Sequence, residues 1–403
     1  MLLSVLLALT VIMVTARAVG FLFARFNQPA VIGEVVGGIL LGPSLLGRIA
    51  PDVQAWLLPA EAAPFLNVIA QLGVILYMFL VGLELDLAVI SATVFATVAI
   101  SAASIVVPFA MGAGLATIVP GDLVPAAVSP WSFALFLGVS MSITAFPVLA
   151  RILDDRGMQR TPLGTLALTC AAINDAIAWC LLAFVVSVME ATPRAAIQTV
   201  ALTAGYIALM LTIGRRLMVR LVRWLDRSSH PGEQSLALVL MAVLLSAVAT
   251  ELIGIHAIFG AFLIGAIIPH DSRISVYAFD RLSDLVRVLL LPAFFAYTGL
   301  RTEIGLVQGT ADWALCAVIV AVATAGKWGG TAIAARLVGM KWRQSAALGI
   351  LMNTRGLVEL IVLNIGLDLG VLTPRLFTIL VIMAVVTTMM TSPILTKIVR
   401  PPD

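Results

Sequence analysis

From Leu2 to Ile398 the chain is a succession of apolar runs, each close to the length of a membrane crossing, parted by short charged or Pro/Gly-rich breaks. A hydrocarbon layer about 30 Å thick is crossed by about 20 helical residues, each rising about 1.5 Å. Hydrocarbon offers no partner to an open backbone, so runs of this kind fold as membrane-spanning helices. Of the 403 residues, 61% are hydrophobic and 11% are charged, whereas a soluble domain carries about 25% charged residues. The mean hydropathy is +1.11. These figures exclude a soluble enzyme.

The apolar runs predict helices at 2–24, 29–47, 65–85, 87–111, 131–150, 162–188, 195–217, 234–252, 255–269, 284–300, 312–335, 343–366 and 374–397. The expected fold is an all-α polytopic membrane protein with about thirteen transmembrane helices, built as one transporter domain over residues 1–403. Met1 to Val14 lacks a basic leader and a small-residue cleavage site, so it reads as a retained first helix. Cys170, Cys180 and Cys316 are widely spaced within apolar runs and form neither a disulfide framework nor a metal motif. No cofactor is expected.

The net charge is +3, and the basic residues lie mainly between apolar runs, where they report orientation and not nucleic-acid binding. Breaks after odd-numbered segments hold most of them, including Arg215, Arg216, Arg220, Arg223 and Arg227, whereas breaks after even-numbered segments hold only Arg48, Arg194, Arg301 and Arg375. The positive-inside rule then places the N-terminus outside and the C-terminus in the cytoplasm. The seventh segment divides the rest into two equal sets of opposite topology, the arrangement of an inverted-repeat transporter.

Two segments in matching positions of these sets carry signals for a broken helix. The fifth contains Ser140-Met141-Ser142-Ile143-Thr144-Ala145-Phe146-Pro147, in which a proline removes a backbone donor and disfavours helix before it. An unwound stretch is expected near Thr144. The twelfth contains the polar run Met352-Asn353-Thr354-Arg355-Gly356. Irregular backbone survives at membrane depth only when buried in protein or lining a wet cavity, so paired breaks point to an ion site near the midplane. An ordinary proline kink and a slightly misplaced cytoplasmic loop are the plain alternatives.

The sixth segment reads Leu168-Thr169-Cys170-Ala171-Ala172-Ile173-Asn174-Asp175-Ala176-Ile177-Ala178-Trp179, with Asp175 near its centre. An acid there costs about 2.5–3.5 kcal/mol on insertion scales, which disfavours an unpaired structural role. Its oxygens suit a hard cation when ionised and hold a proton when neutral, so one group exchanges one for the other. Asn174 adds a neutral carbonyl oxygen. Lys327, in Ala325-Gly326-Lys327-Trp328-Gly329-Gly330 of the eleventh segment, is the natural counter-charge, as a competing counter-ion or as a permanent salt bridge. Arg355 and Glu359 stand at i,i+4 spacing, and a stabilising or gating ion pair across the broken helix is their simplest reading. His256 suits pH sensing, although a lone histidine near a helix end usually serves packing or hydrogen bonding.

Taken together, Gln28-Pro29 through Gly42-Pro43, Phe79 to Asp86, Ser140 to Arg151, Ala172 to Trp179, Gly254 to Pro269, Phe294 to Leu300 and Asn353 to Glu359 resemble the Kef/CHX-type branch of the monovalent cation/proton antiporters, which share the NhaA/NapA-like fold. The resemblance spans essentially the whole chain. It implies a homodimer in a bacterial inner membrane that exchanges K+ or Na+ for H+. It also implies that panel helices in 1–85 and 234–300 stay fixed while core helices in 87–188 and 312–398 move as an elevator, with 195–217 as linker. Asp175 would bind cation and proton alternately, beside Asn174 and Thr144, with Lys327 as its partner. Exchange through a single acid would be electroneutral. Many such relatives carry a cytoplasmic regulatory domain after the last span, and none is expected where this sequence stops at Asp403.

A cation channel and a sodium-coupled organic-anion carrier of similar fold are the rival readings. An intramembrane protease is disfavoured, because the aspartyl type needs two facing acids and the metallo type needs histidine ligands, and His230, His256 and His270 show no paired spacing.

Overall fold

The computed structural model describes residues 2–26, 28–84, 95–158, 161–189, 193–225, 232–254, 256–269 and 271–399, and every regular element among them is helical. In chain order the principal helices are α1 (Leu2–Arg25), α2 (Ala30–Leu41), α3 (Ala63–Glu84), α4 (Phe95–Leu115), α5 (Pro130–Ser142), α6 (Phe146–Asp155), α7 (Pro162–Met189), α8 (Pro193–Leu209), α9 (Arg215–Leu225), α10 (Glu233–Ile253), α11 (Ala257–Ile267), α12 (Arg273–Leu285), α13 (Leu291–Leu300), α14 (Gly309–Thr324), α15 (Gly330–Leu337), α16 (Trp342–Met352), α17 (Leu357–Asp368) and α18 (Pro374–Ile398). Single π turns at Met210–Gly214, Val286–Leu290 and Ala325–Gly329 join α8 to α9, α12 to α13 and α14 to α15. Among the described residues ten continuous helical stretches are long and apolar enough to cross a membrane, and α5 and α11 are shorter apolar helices. The chain is an all-α integral membrane protein.

Several boundaries differ from those expected. The seventh segment does not stop at 217 but continues through α9 to Leu225, and the tenth begins at Arg273 instead of 284. Both extensions are amphipathic. Their apolar residues recur on one stripe while Arg215, Arg216, Arg220 and Arg223, or Arg273, Asp280, Arg281 and Asp284, share the same turns. A search for unbroken apolar runs misses such helices. The basic residues assigned to two loops therefore sit on helices. The second segment ends at Leu41. Residues 87–94 of the fourth segment, with Asp86, and His230 and His270 lie outside the described residues.

The chain divides into two compact units, one of residues 1–63, 92–182 and 295–403, the other of 64–91 and 183–294. In the first, α2 packs closely against the end of α13. A Cβ added at Gly38 would lie 2.6 Å from the Ala296 Cα, and one at Gly299 would lie 2.5 Å from the Gly38 carbonyl carbon. Glycine is required there because the two backbones touch. In the second unit the same device brings α3 onto α11, where a Cβ at Gly82 would meet the Phe262 carbonyl oxygen at 2.3 Å.

Prolines inside spanning helices have a specific consequence in the first unit. Pro108 in α4 and Pro393 in α18 have no N–H, so the carbonyls four residues earlier, Ser104 and Met389, lose their helical donors. Side chains from other helices replace them: Lys327 Nζ donates to the Ser104 carbonyl at 2.8 Å, and Gln28 Nε2 to that of Met389 at 3.3 Å.

Candidate ion-binding site

The two expected breaks are present and are hydrogen-bonded to each other. Helix stops at Ser142 and resumes at Phe146, and it stops at Met352 and resumes at Leu357. The Ala145 N–H donates to the Thr354 carbonyl at 3.0 Å, and Thr144 Oγ1 donates to the Met352 carbonyl at 3.2 Å. Each interrupted strand of backbone therefore satisfies part of the other.

A helix end leaves four carbonyls without intrahelical donors, and at the end of α5 side chains supply all of them. Ser142 Oγ donates to Val139 (2.8 Å), Arg355 Nη1 to Ser140 (2.9 Å), Arg355 Nη2 to Met141 (2.8 Å) and Lys327 Nζ to Ser142. Two cations thus stand at the negative end of the α5 dipole, where positive charge is stabilised. Leaving one such buried carbonyl unpaired costs about 1–3 kcal/mol.

Lys327 is fully buried. Its π turn, packed against Pro108 and Val107 of α4 through Gly326 and Gly330, carries the ammonium to the Ser104 carbonyl that Pro108 leaves open. Arg355 is also fully buried, and besides capping α5 it pairs with Glu359 at 2.9 Å. The second Glu359 oxygen accepts from Ser140 Oγ at 2.8 Å. Thr388 Oγ1 of α18 donates to the Arg355 carbonyl (2.7 Å) and accepts from the Arg355 N–H (3.0 Å), so the second break is supported from behind. The pair is fastened into both breaks.

Asp175 lies on the continuous helix α7 beside this crossing and is 2% exposed. No described side chain donates a hydrogen bond to either carboxylate oxygen. The Phe146 backbone N–H, at the positive end of α6, is directed at it as a donor, and the Lys327 charge acts on it through space. Asn174, fully buried, is best satisfied with its carbonyl accepting from Ser104 Oγ (2.5 Å) and its amino group donating to the carbonyls of Cys170 (3.2 Å) and Ser101 (3.3 Å). Its amide lies 3.5 Å from Thr144 Oγ1. A buried carboxylate with no side-chain donor, at the end of the half-helix α6, can bind a small cation or a proton. It cannot hold both at full strength.

The structure brings Asp175, Asn174, Thr144, Lys327, Arg355 and Glu359 together in the first unit. Lys327 makes no direct ion pair with Asp175, since both of its recorded hydrogen bonds go to carbonyls. His256 belongs to the second unit, at the residue before α11, where Glu251 Oε2 accepts from the Ala257 N–H at 2.8 Å. Sequence reasoning passed over Ser104 and Thr388, and gave Ser140 and Ser142 no role beyond marking the first break. Their signal was present as hydroxyl residues within apolar runs, four residues before Pro108 in the case of Ser104.

Residues 8–400 match the family described as sodium/hydrogen exchanger, transmembrane. The chain is 45% identical over 403 residues to the Na(+)/H(+) antiporter NhaS4 of Synechocystis sp., covering all of this chain and 98% of that protein. It is 40% identical over 406 residues to cation/H(+) antiporter 20 of Arabidopsis thaliana, and spans about half of that longer relative, 48% of its length. The sodium proton antiporter MjNhaP1 of Methanocaldococcus jannaschii shares the fold, with a TM-score of 0.70 at 13% identity over 98% of this chain and 96% of that one.

Proposed function

Because this chain belongs to the sodium/hydrogen exchanger family, we propose that it exchanges a monovalent cation, Na+ or K+, for a proton across the membrane, with both competing for Asp175. The observation that carries this reading is the buried Asp175 carboxylate, without a side-chain donor on either oxygen, beside two helix breaks bonded to each other. Ionised, it offers hard oxygen ligands to a cation that has shed part of its water. Protonated, it is neutral and crosses without its ion. Asn174 and the Thr144 break supply neutral oxygen beside it, and the Lys327 ammonium is a nearby fixed charge that a cation must outweigh.

With one acid per site, one cation exchanges for one proton and the cycle is electroneutral. Alternating access runs as an elevator, with core helices in 87–188 and 312–398 moving past panel helices in 1–85 and 234–300, and with 195–217 as the linker. The working form is a homodimer in a bacterial inner membrane, N-terminus outside, as the distribution of basic residues supports. His256, in the second unit, is the candidate pH sensor of this scheme.

The test is purified protein in liposomes holding a pH-sensitive dye, challenged separately with Na+, K+, Li+ and Rb+. Proton movement driven by the cation gradient, persisting with the membrane voltage clamped at zero, is the expected result. Current without proton movement would make it a channel. Proton-independent uptake of an organic anion with sodium would make it an anion carrier.

A further inference from the structure

Asn353 is fully buried, yet neither its Oδ1 nor its Nδ2 has a partner among the described residues. Each unpaired buried group costs about 1–3 kcal/mol. Such an amide persists in a helix break where something other than protein meets its needs.

Its position follows from the bonds around it. Asn353 sits between Met352, whose carbonyl accepts from Thr144 Oγ1, and Thr354, whose carbonyl accepts from the Ala145 N–H. It therefore lies across from the Ile143–Ala145 break, and Thr144 in turn stands 3.5 Å from the Asn174 amide. The hairpin of α15 and α16 gives a second bearing. Gly349 packs on the Trp328 carbonyl and on Ala332, and Trp328 Nε1 donates to the Ala346 carbonyl at 3.0 Å. One helical turn further along this antiparallel pair brings Asn353 level with the Ala325–Gly329 turn that carries Lys327. Asn353 is thus at the crossing, where the buried Asp175 carboxylate also lacks a side-chain partner.

We infer that Asn353 Oδ1 is an oxygen ligand of the transported monovalent cation, facing Asp175 across the two breaks. The inference rests on the exchange site proposed above and adds to it the residue that sets affinity and ion size. An amide oxygen is a neutral acceptor that replaces one water of the ion's shell, as carbonyl rings do in cation filters. It carries no proton, so it leaves the count of one charge per site unchanged. A cation at this point satisfies the Asp175 carboxylate and the Asn353 Oδ1 together, whereas Ser104 and Asn174 already satisfy each other.

The experiment compares wild type, Asn353→Ala and Asn353→Ser in the liposome assay with Li+, Na+, K+ and Rb+. In parallel, the rise in unfolding temperature of detergent-solubilised protein is measured against each cation. The alanine variant is expected to raise the half-saturating cation concentration about tenfold, keep its maximal rate within about threefold, alter the order of preference among the four ions, and lose the cation-dependent rise in unfolding temperature. The serine variant, which keeps a shorter oxygen, is expected to fall between. Unchanged half-saturation and ion order overturn the inference, as does a lower maximal rate at unchanged half-saturation. Failure of both variants to fold also overturns it and makes Asn353 a packing residue. If wild type itself moves no protons, the exchange reading fails, and the thermal shift still decides whether Asn353 binds the ion.

Discussion

The Lys327 ammonium donates to the Ser104 carbonyl at 2.8 Å, and that carbonyl is open because Pro108, four residues further along α4, has no N–H to offer it. A lysine inside the membrane is thereby given a backbone partner by a proline on another helix. The same ammonium donates to the Ser142 carbonyl at the end of α5. Lys327 thus fastens α4 and the first break to the π turn.

This relationship is open to a double-mutant cycle. Lys327→Met should lower thermal stability by about 1–3 kcal/mol for each carbonyl left bare. In a Pro108→Ala background the loss should be smaller, because the substituted residue restores an N–H to the Ser104 carbonyl. Thermal unfolding of the four proteins in detergent gives the coupling. Equal losses in both backgrounds would refute it.

Asp175→Asn should abolish cation-driven proton movement and leave the folded, inserted protein intact. The amide occupies the same volume, keeps an oxygen for the Phe146 backbone N–H, and replaces a carboxylate to which no described side chain donates. Size-exclusion profiles and dye-reported flux read the two halves of this expectation. Robust exchange by the variant would remove Asp175 from the mechanism.

Arg355→Ala should be far more damaging than Glu359→Gln. The first strips donors from the Ser140 and Met141 carbonyls and leaves Glu359 as an uncompensated buried charge, a change of the class that costs about 3–5 kcal/mol. The second takes the counter-charge from Arg355 but keeps an acceptor for Ser140 Oγ and leaves the guanidinium hydrogen-bonded to the two α5 carbonyls, at the negative end of the helix dipole. Yields of monodisperse protein and unfolding temperatures rank them, and similar behaviour of the two would count against the capping role of Arg355.

Gly38→Ala should lower the unfolding temperature, since its Cβ would sit 2.6 Å from the Ala296 Cα and 2.7 Å from the Ala296 carbonyl oxygen. Backbone cannot yield as a flexible side chain does, so α2 and α13 must part. Gly114→Ala, whose Cβ meets nothing within 4 Å, serves as the control and should be neutral or slightly stabilising. Matching unfolding temperatures for the two variants would show that the contact is slack.

Most of the candidate site was legible from local signals. An acid at the centre of an apolar run marks Asp175, and Pro147 and the Asn353–Gly356 run mark the breaks, because each conflicts with what a lipid-spanning helix tolerates. The partners of Lys327 were not legible. Opposite charge suggested Asp175, whereas the ammonium goes to two carbonyls, and a carbonyl's need for a donor is invisible until helix ends and prolines are located in space. The amphipathic stretches α9 and α12 escaped for another reason, since their charged residues break the apolar run without breaking the helix.

The sequence alone determined that this chain lives in a bilayer, where its helices interrupt and which acid sits at membrane depth, since these follow from hydropathy and backbone chemistry over a few neighbouring residues. Only the tertiary structure decided that Arg355 and Lys327 together cap α5, that each break completes the other, and that Asp175 and Asn353 are left without side-chain partners. Those outcomes depend on hydrogen bonds between residues more than 180 positions apart, and the donor that reaches a given carbonyl is settled by packing, not by order along the chain.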